Sequence, residues 1–288
     1  GGGIWLRNKS SPTILGTSID SSCSPFGGGG GIYCENSSPT LNGNRIEANT
    51  AVSHGGGILV SFGSSVTGSQ DKIQDNTADG GGAIFCEASA LTLTNVILSG
   101  NLATGIISKH GGGAIHCHGA SPTLINVTIT GNCAYEHGGG LYLRYNSAPS
   151  IMNSIVSFST EGEGIYCDGS NAPTLSSSNI YGNAGGDWVG CVAGQYGVDG
   201  NISAEPLFVD PAGRDYHLQA GSPCIDTGTN EGAPTEDIEG NPRPIDGDGD
   251  GTAITDMGAY EYMLSIDSFV GDPDHCLTPL DVEFTVEI

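Results

Sequence analysis

The chain reads as an all-β solenoid, a parallel β-helix of roughly 26 residues per coil, and three recurrences lead to that reading. A glycine run opens each unit and leads into alternating apolar residues, as "GGGIWL" at Gly1, "GGGIYC" at Gly29, "GGGILV" at Gly55, "GGGAIFC" at Gly80, "GGGAIHC" at Gly111, "GGGLYL" at Gly138 and a degenerate "GEGIYC" at Gly162. A second element follows as "SPTI", "SPTL", "SPTL", "APSI" and "APTL" at Ser11, Ser38, Ser121, Ala148 and Ala172. A third places an aliphatic residue three before an asparagine: Ile46/Asn49, Ile73/Asn76, Leu98/Asn101, Ile129/Asn132 and Ile180/Asn183. Ile19/Ser22 and Val156/Ser159 keep the position and lose the amide.

Each element is a short apolar alternation bounded by Gly, Pro or Asn, with no helix-period segment between them, so the unit is strand, turn, strand, turn. Stacked coils pair equivalent strands in parallel about 4.8 Å apart, and like residues form ladders. Ile4, Ile32, Ile58, Ile84, Ile115, Leu141 and Ile165 make one expected ladder. Ile14, Leu41, Leu93, Leu124, Ile151 and Leu175 make a second. The glycines allow a corner with positive φ or close backbone approach, and the stacked asparagines have a structural role, bonding each other and the turns.

Composition bounds the function. The 288 residues hold 48 Gly, and 8 Lys plus Arg against 32 Asp plus Glu give a formal net charge of -24. Such a surface repels nucleic acid, and no apolar run is long enough for a transmembrane segment. The first residues fall inside a repeat and are no signal peptide, and the last form an alternating run, "LDVEFTVEI". The chain is therefore expected to be a segment of a longer exported protein, extracellular or at the cell surface.

The "GGAI" and "IxxN" elements resemble the polymorphic outer-membrane-protein repeat, and the coil pattern resembles bacterial right-handed parallel β-helix proteins of the pectin-lyase-like superfamily. From Glu205, "EPLFVDPAGRDYHLQAGSPCIDTG", and from Asp237, "DIEGNPRPIDGDGDGTAITDMGAYEY", are similar to the end of β-helix surface proteins called choice-of-anchor Q. The resemblance implies a right-handed helix and a bacterial or archaeal surface protein. It fixes no activity, because one fold hosts lyases, hydrolases and adhesins. The expected organisation is about seven coils over residues 1–190, a non-helical cap over 191–262, and over 263–288 a linker with the first strand of a further β-sandwich-like module.

Two residue types invite chemistry. Cys34, Cys86, Cys117 and Cys167 occupy a coil position that Leu6, Val60 and Leu143 fill elsewhere, which makes it buried and apolar. Free thiols there, or a bridge between Cys86 and Cys117 if those coils are adjacent, are the alternatives. In "DGDGDGT" the carboxylates of Asp246, Asp248 and Asp250 alternate as in calcium loops, with Asp256 near the end and Asp226 or Asp237 as further ligands. Hard oxygens in that density suit Ca2+.

The outward face beside the first ladder completes the reading. One step from each ladder residue stand Trp5, Tyr33, Leu59, Phe85, His116, Tyr142 and Tyr166. Two steps further stand Arg7, Glu35, Ser61, Glu87, His118, Arg144 and Asp168. Rings at strand spacing suit stacking on a polysaccharide or cell-surface glycan, with charged neighbours bonding hydroxyls. The candidate ligand-binding set is Tyr33, Phe85, Glu87, His116, His118, Tyr142, Arg144, Tyr166 and Asp168. Its centre is the longest coil, where "LATGIISKH" brings His110 towards His116 and His118, with His137 on the adjoining coil. A metal held by His116 and His118 is weakly signalled by a spacing of two on a strand. The expected function is non-catalytic adhesion, glycan contact or assembly with copies of itself. The alternative is a carbohydrate-active enzyme, a polysaccharide lyase using Lys109 or a glycoside hydrolase, although Glu87 and Asp168 stand coils apart.

Overall fold

The ladders expected from the repeats are the hydrogen-bonded registers of the protein. The computed structural model describes residues 2–25, 27–106, 110–169 and 171–264. Sheet 1 stacks Ile4–Leu6, Ile32–Glu35, Ile58–Ser61, Ile84–Glu87, Ile115–His118, Leu141–Arg144 and Ile165–Asp168, which number the coils 1 to 7. Sheet 2, from Thr13–Leu15 to Thr174–Ser176, and sheet 3, from Ser18–Asp20 to Asn179–Tyr181, hold seven strands each, and sheet 4, from Cys23–Ser24 to Cys133–Ala134, holds five, all parallel between neighbouring coils. Pairing of Ile4 with Ile32 and of Ile32 with Ile58 opens the first ladder. In the second, Gly68 fills the coil 3 position between Leu41 and Leu93.

These ladders face inward and make one core. Cys34, Cys86 and Cys117 lie in it as buried free thiols, so the Cys86–Cys117 bridge is not formed. Stacked corners leave no room for side chains: a Cβ on Gly56 would sit 2.4 Å from the Gly82 carbonyl oxygen. The asparagines of the third element run through the core as a chain of amides. Asn49, Asn76 and Asn101 each donate from Nδ2 to the Oδ1 of the next, at 2.9, 3.0 and 2.9 Å, ending at Asn132.

Beyond Asn183 the chain is mainly irregular, as expected of the cap, with one short antiparallel strand pair, Phe208–Asp210 and Asp215–Leu218. Only its first part covers the end of the helix: a 3-10 turn, Gly190–Gln195, buries Val192 in the core, and Cys191 is disulfide-bonded to Cys167. The rest turns back along the outside of sheet 3. There Phe208, Tyr216, Leu218, Ile225, Met257 and Tyr260 pack with the outward Ile97 and Ile155 in a second core. The turns between sheets 2 and 3 clasp this tail. Asn95 donates to the Glu236 carbonyl, Asn126 to those of Asp256 and Gly258, and Asn153 to that of Thr229. Asn95, Asn126 and Asn153 stand at positive φ, a conformation asparagine tolerates, and their side chains thus reach outward. Residues 265–288, including nearly all of the expected further module, lie outside the described residues.

Candidate functional site

The outward row of sheet 1 is in register, with Phe85 opposite His116 and His116 opposite Tyr142. Its middle is not an exposed stripe. Phe85 is 4 % exposed, and His116 and Tyr142 are 1 % exposed, against the expectation that their ring faces meet a ligand. Parallel pairing accounts for part of this, since it brings the ring centroids of Phe85 and His116 to 4.5 Å and those of His116 and Tyr142 to 4.8 Å. The corner before each glycine run supplies the rest: His54 lies 4.2 Å from Phe85, and His137 stacks on Tyr166 at 3.9 Å.

The shortest member of the row in the middle coils is Leu59, and over it opens a cleft of about 280 Å³. Leu59, Phe85 and His116 contribute to its lining, as do His54 and His110 from the glycine corners. From the next outward positions and the turn beyond come Ser61, Phe62, Glu87, His118, Arg144 and Tyr145, and Tyr33 adds a ring from coil 2. Phe62 and Tyr145 are 65 % and 57 % exposed. Of the residues expected at the site, Tyr33, Phe85, Glu87, His116, His118 and Arg144 therefore meet in one place. Tyr142, Tyr166 and Asp168 stand beside it: Tyr142 packs against His116, and Asp168 accepts a 2.8 Å bond from Arg144 Nε.

Two of the lining imidazoles are held below the usual histidine range. Burial, then the neighbouring His54, His118 and Arg144, push His116 well below the usual histidine range. The Gly111 backbone acts against that push, but no well-aligned hydrogen bond reaches either buried ring nitrogen. His54, buried and next to His110, is pushed down to about 4, and its Nδ1 lies 2.7 Å from Ser53 Oγ. Glu87 Oε1 stands 3.7 Å from His118 Nδ1, and both side chains are partly exposed.

Sequence reasoning missed His54, Phe62 and Tyr145. His54 had a signal: "HGGG" occurs at His54, His110 and His137, always just before the corner. Phe62 and Tyr145 follow sheet 1 strands at positive φ, where no periodicity marks them. Lys109 lies outside the described residues.

The acidic loop brings together Asp226, Asp246 and Asp248, with one oxygen of each within 4.8 Å of the others. Asp226 shapes this loop by accepting from the backbone N–H groups of Gly247, Asp248 and Ile254. Three hard carboxylate ligands are a fitting start for Ca2+. Asp250 and Asp256, expected as ligands, are not in the group. Asp250 accepts from the Thr252 N–H. Asp256 is buried and accepts from the Asp226 and Tyr262 N–H groups, and burial with Glu261 nearby raises it to about 8.

Compared with known families, residues 1–98 match the right handed beta helix region. That stretch covers the first three coils and part of the fourth, and the same registers continue through coil 7. No curated protein matches the chain.

Proposed function

We propose that the chain is an exported, non-catalytic binding protein whose cleft over Leu59 holds a sugar unit of a polysaccharide or cell-surface glycan. The lining of the cleft carries this reading: Tyr33, Phe62, Phe85 and Tyr145 supply rings, and Ser61, Glu87, His118 and Arg144 stand among them. A sugar ring has an apolar C–H face that packs on aromatic side chains and a rim of hydroxyls that needs fixed donors and acceptors. Glu87 is the sole carboxylate along the described lining, whereas hydrolysis by two carboxylates needs a pair across the bond. The Cys167–Cys191 bridge favours an oxidising compartment, in keeping with the resemblance to surface-anchored β-helix proteins. The same reading includes a calcium ion on Asp226, Asp246 and Asp248, which would fasten the tail.

A glycan array probed with the wild type and with a Phe62→Ala/Tyr145→Ala variant tests the proposal, with product analysis on every bound glycan. Saturable binding without product, lost in the variant, is the expected outcome. Product release would favour a lyase or hydrolase. Concentration-dependent self-association with no glycan bound would favour assembly of copies.

A further inference from the structure

The cleft holds more histidine than a sugar requires. His54, His110, His116 and His118 all line it, brought from two glycine corners and one strand. His116 is the most telling, because it is 1 % exposed and, with only the Gly111 backbone near, no well-aligned hydrogen bond reaches either ring nitrogen. A neutral imidazole carries a proton on one nitrogen and a lone pair on the other, and a buried lone pair with no donor is an uncompensated group.

The glycine corner of coil 4 brings two of these rings close together. A Cβ built on Gly80 would lie 3.2 Å from His116 Nδ1, 3.5 Å from His54 Cδ2 and 3.7 Å from Phe85 Cε2, so the three rings pack closely around that glycine. The contact of His54 Nδ1 with Ser53 Oγ at 2.7 Å holds the ring in place. Orienting a ligand histidine through its other nitrogen is the usual second shell of a metal site. His118 sits two residues along the strand from His116, with ring centroids 6.4 Å apart, and Glu87 stands beside it.

We propose that this end of the cleft binds one divalent transition-metal ion of the zinc type, through His54, His116 and His118 with Glu87 as carboxylate ligand. Imidazole nitrogens suit Zn2+, Cu2+ or Ni2+ and do not suit Ca2+. Among the described residues, only the acidic trio already has three ligand atoms within 4.8 Å of one another. Closure of the histidine site therefore requires side-chain rotation, for which the partly exposed His118 and Glu87 have room. The inference goes beyond the glycan reading and does not rest on it, since a cleft that takes no sugar can still hold the ion.

The test uses untagged, chelator-stripped protein carrying Asp246→Asn and Asp248→Asn, so that the acidic loop does not contribute. Zn2+ is titrated calorimetrically with Ca2+ in excess, and Co2+ is followed by visible absorption. One ion per chain is expected, with absorption bands of nitrogen-ligated Co2+. His118→Asn and His54→Asn should each weaken binding by about 10-fold or more, and Gly80→Ala should do the same by crowding His116 Nδ1. His116→Asn is interpreted only if its melting curve is unchanged; the partly exposed His118 gives the decisive variant in any case. Absence of Zn2+ binding, or equal affinity in the His54 and His118 variants, overturns the proposal.

Discussion

Asn44 Nδ2 and the Asn44 backbone N–H both donate to one oxygen of Asp71, each at 2.8 Å, and the other oxygen of that carboxyl is buried without a partner. Burial outweighs the bonds from Asn44 and pushes Asp71 up to about 6. The fold thus favours the protonated carboxyl. Its contribution is full below the ordinary carboxylate pKa of about 3.9 and is lost as pH rises to about 6, a fall of about 2–3 kcal/mol. Asp71→Asn should raise the stability at pH 7 and flatten its decline between pH 4 and 6. The introduced amide can donate to the Leu41 carbonyl, as Asn44 Nδ2 donates to that of Ile14 one coil earlier. Urea melts across that pH range provide the check.

The asparagine chain predicts the opposite effect of a similar change. Asn101 Oδ1 accepts from both the backbone N–H and Nδ2 of Asn76. Asn101→Ala would leave two buried donors unpaired, at about 1–3 kcal/mol each, so a loss of about 2–6 kcal/mol is expected in chemical denaturation.

Reduction should loosen the end of the helix before the rest. Cys167 and Cys191 are 24 residues apart in sequence, and closing a loop of that length contributes about 3 kcal/mol. Cys191→Ser should speed amide exchange around Val192 and leave the buried amides of coils 3 to 5 protected.

Calcium binding by the acidic loop would appear as linkage. The melting temperature should rise with millimolar Ca2+ and fall with chelator, and Asp226→Asn should abolish the difference. An identical midpoint in all conditions would remove calcium from the account.

Filling the cleft should separate binding from stability. Tyr or Phe stands at the Leu59 position in coils 2, 4, 6 and 7, so the row accommodates a ring there. Leu59→Tyr is expected to melt close to the wild type and to lose glycan binding, as measured on the arrays that select the ligand.

The ladders were legible because a solenoid writes spatial neighbours at a fixed sequence interval: Ile84 and Ile115 look alike since they meet. The same logic placed Glu87, His118 and Arg144 together. It failed where contact does not repeat. Nothing in the spacing of Asn95 and Glu236 shows that one clasps the other, and Cys191 has no ladder equivalent to mark it as the partner of Cys167. Periodicity also gives the direction of a side chain and not what lies over it: it turns His116 outward but does not show that Phe85 and Tyr142 cover it.

The returning tail changes how the coils can come apart. In an array held only by nearest neighbours, coils fray from either end with little cost to those beyond. Here a single segment bonds to Gln70, Asn95, Asn126, Asn153 and Asn179, one residue from each of coils 3 to 7. Opening any one of these coils requires releasing the segment from its neighbours, so the five should unfold as one cooperative unit. Coils 1 and 2 lie outside that unit and should exchange their amide hydrogens at lower cost, which divides a repetitive array into a clasped part and an unclasped one.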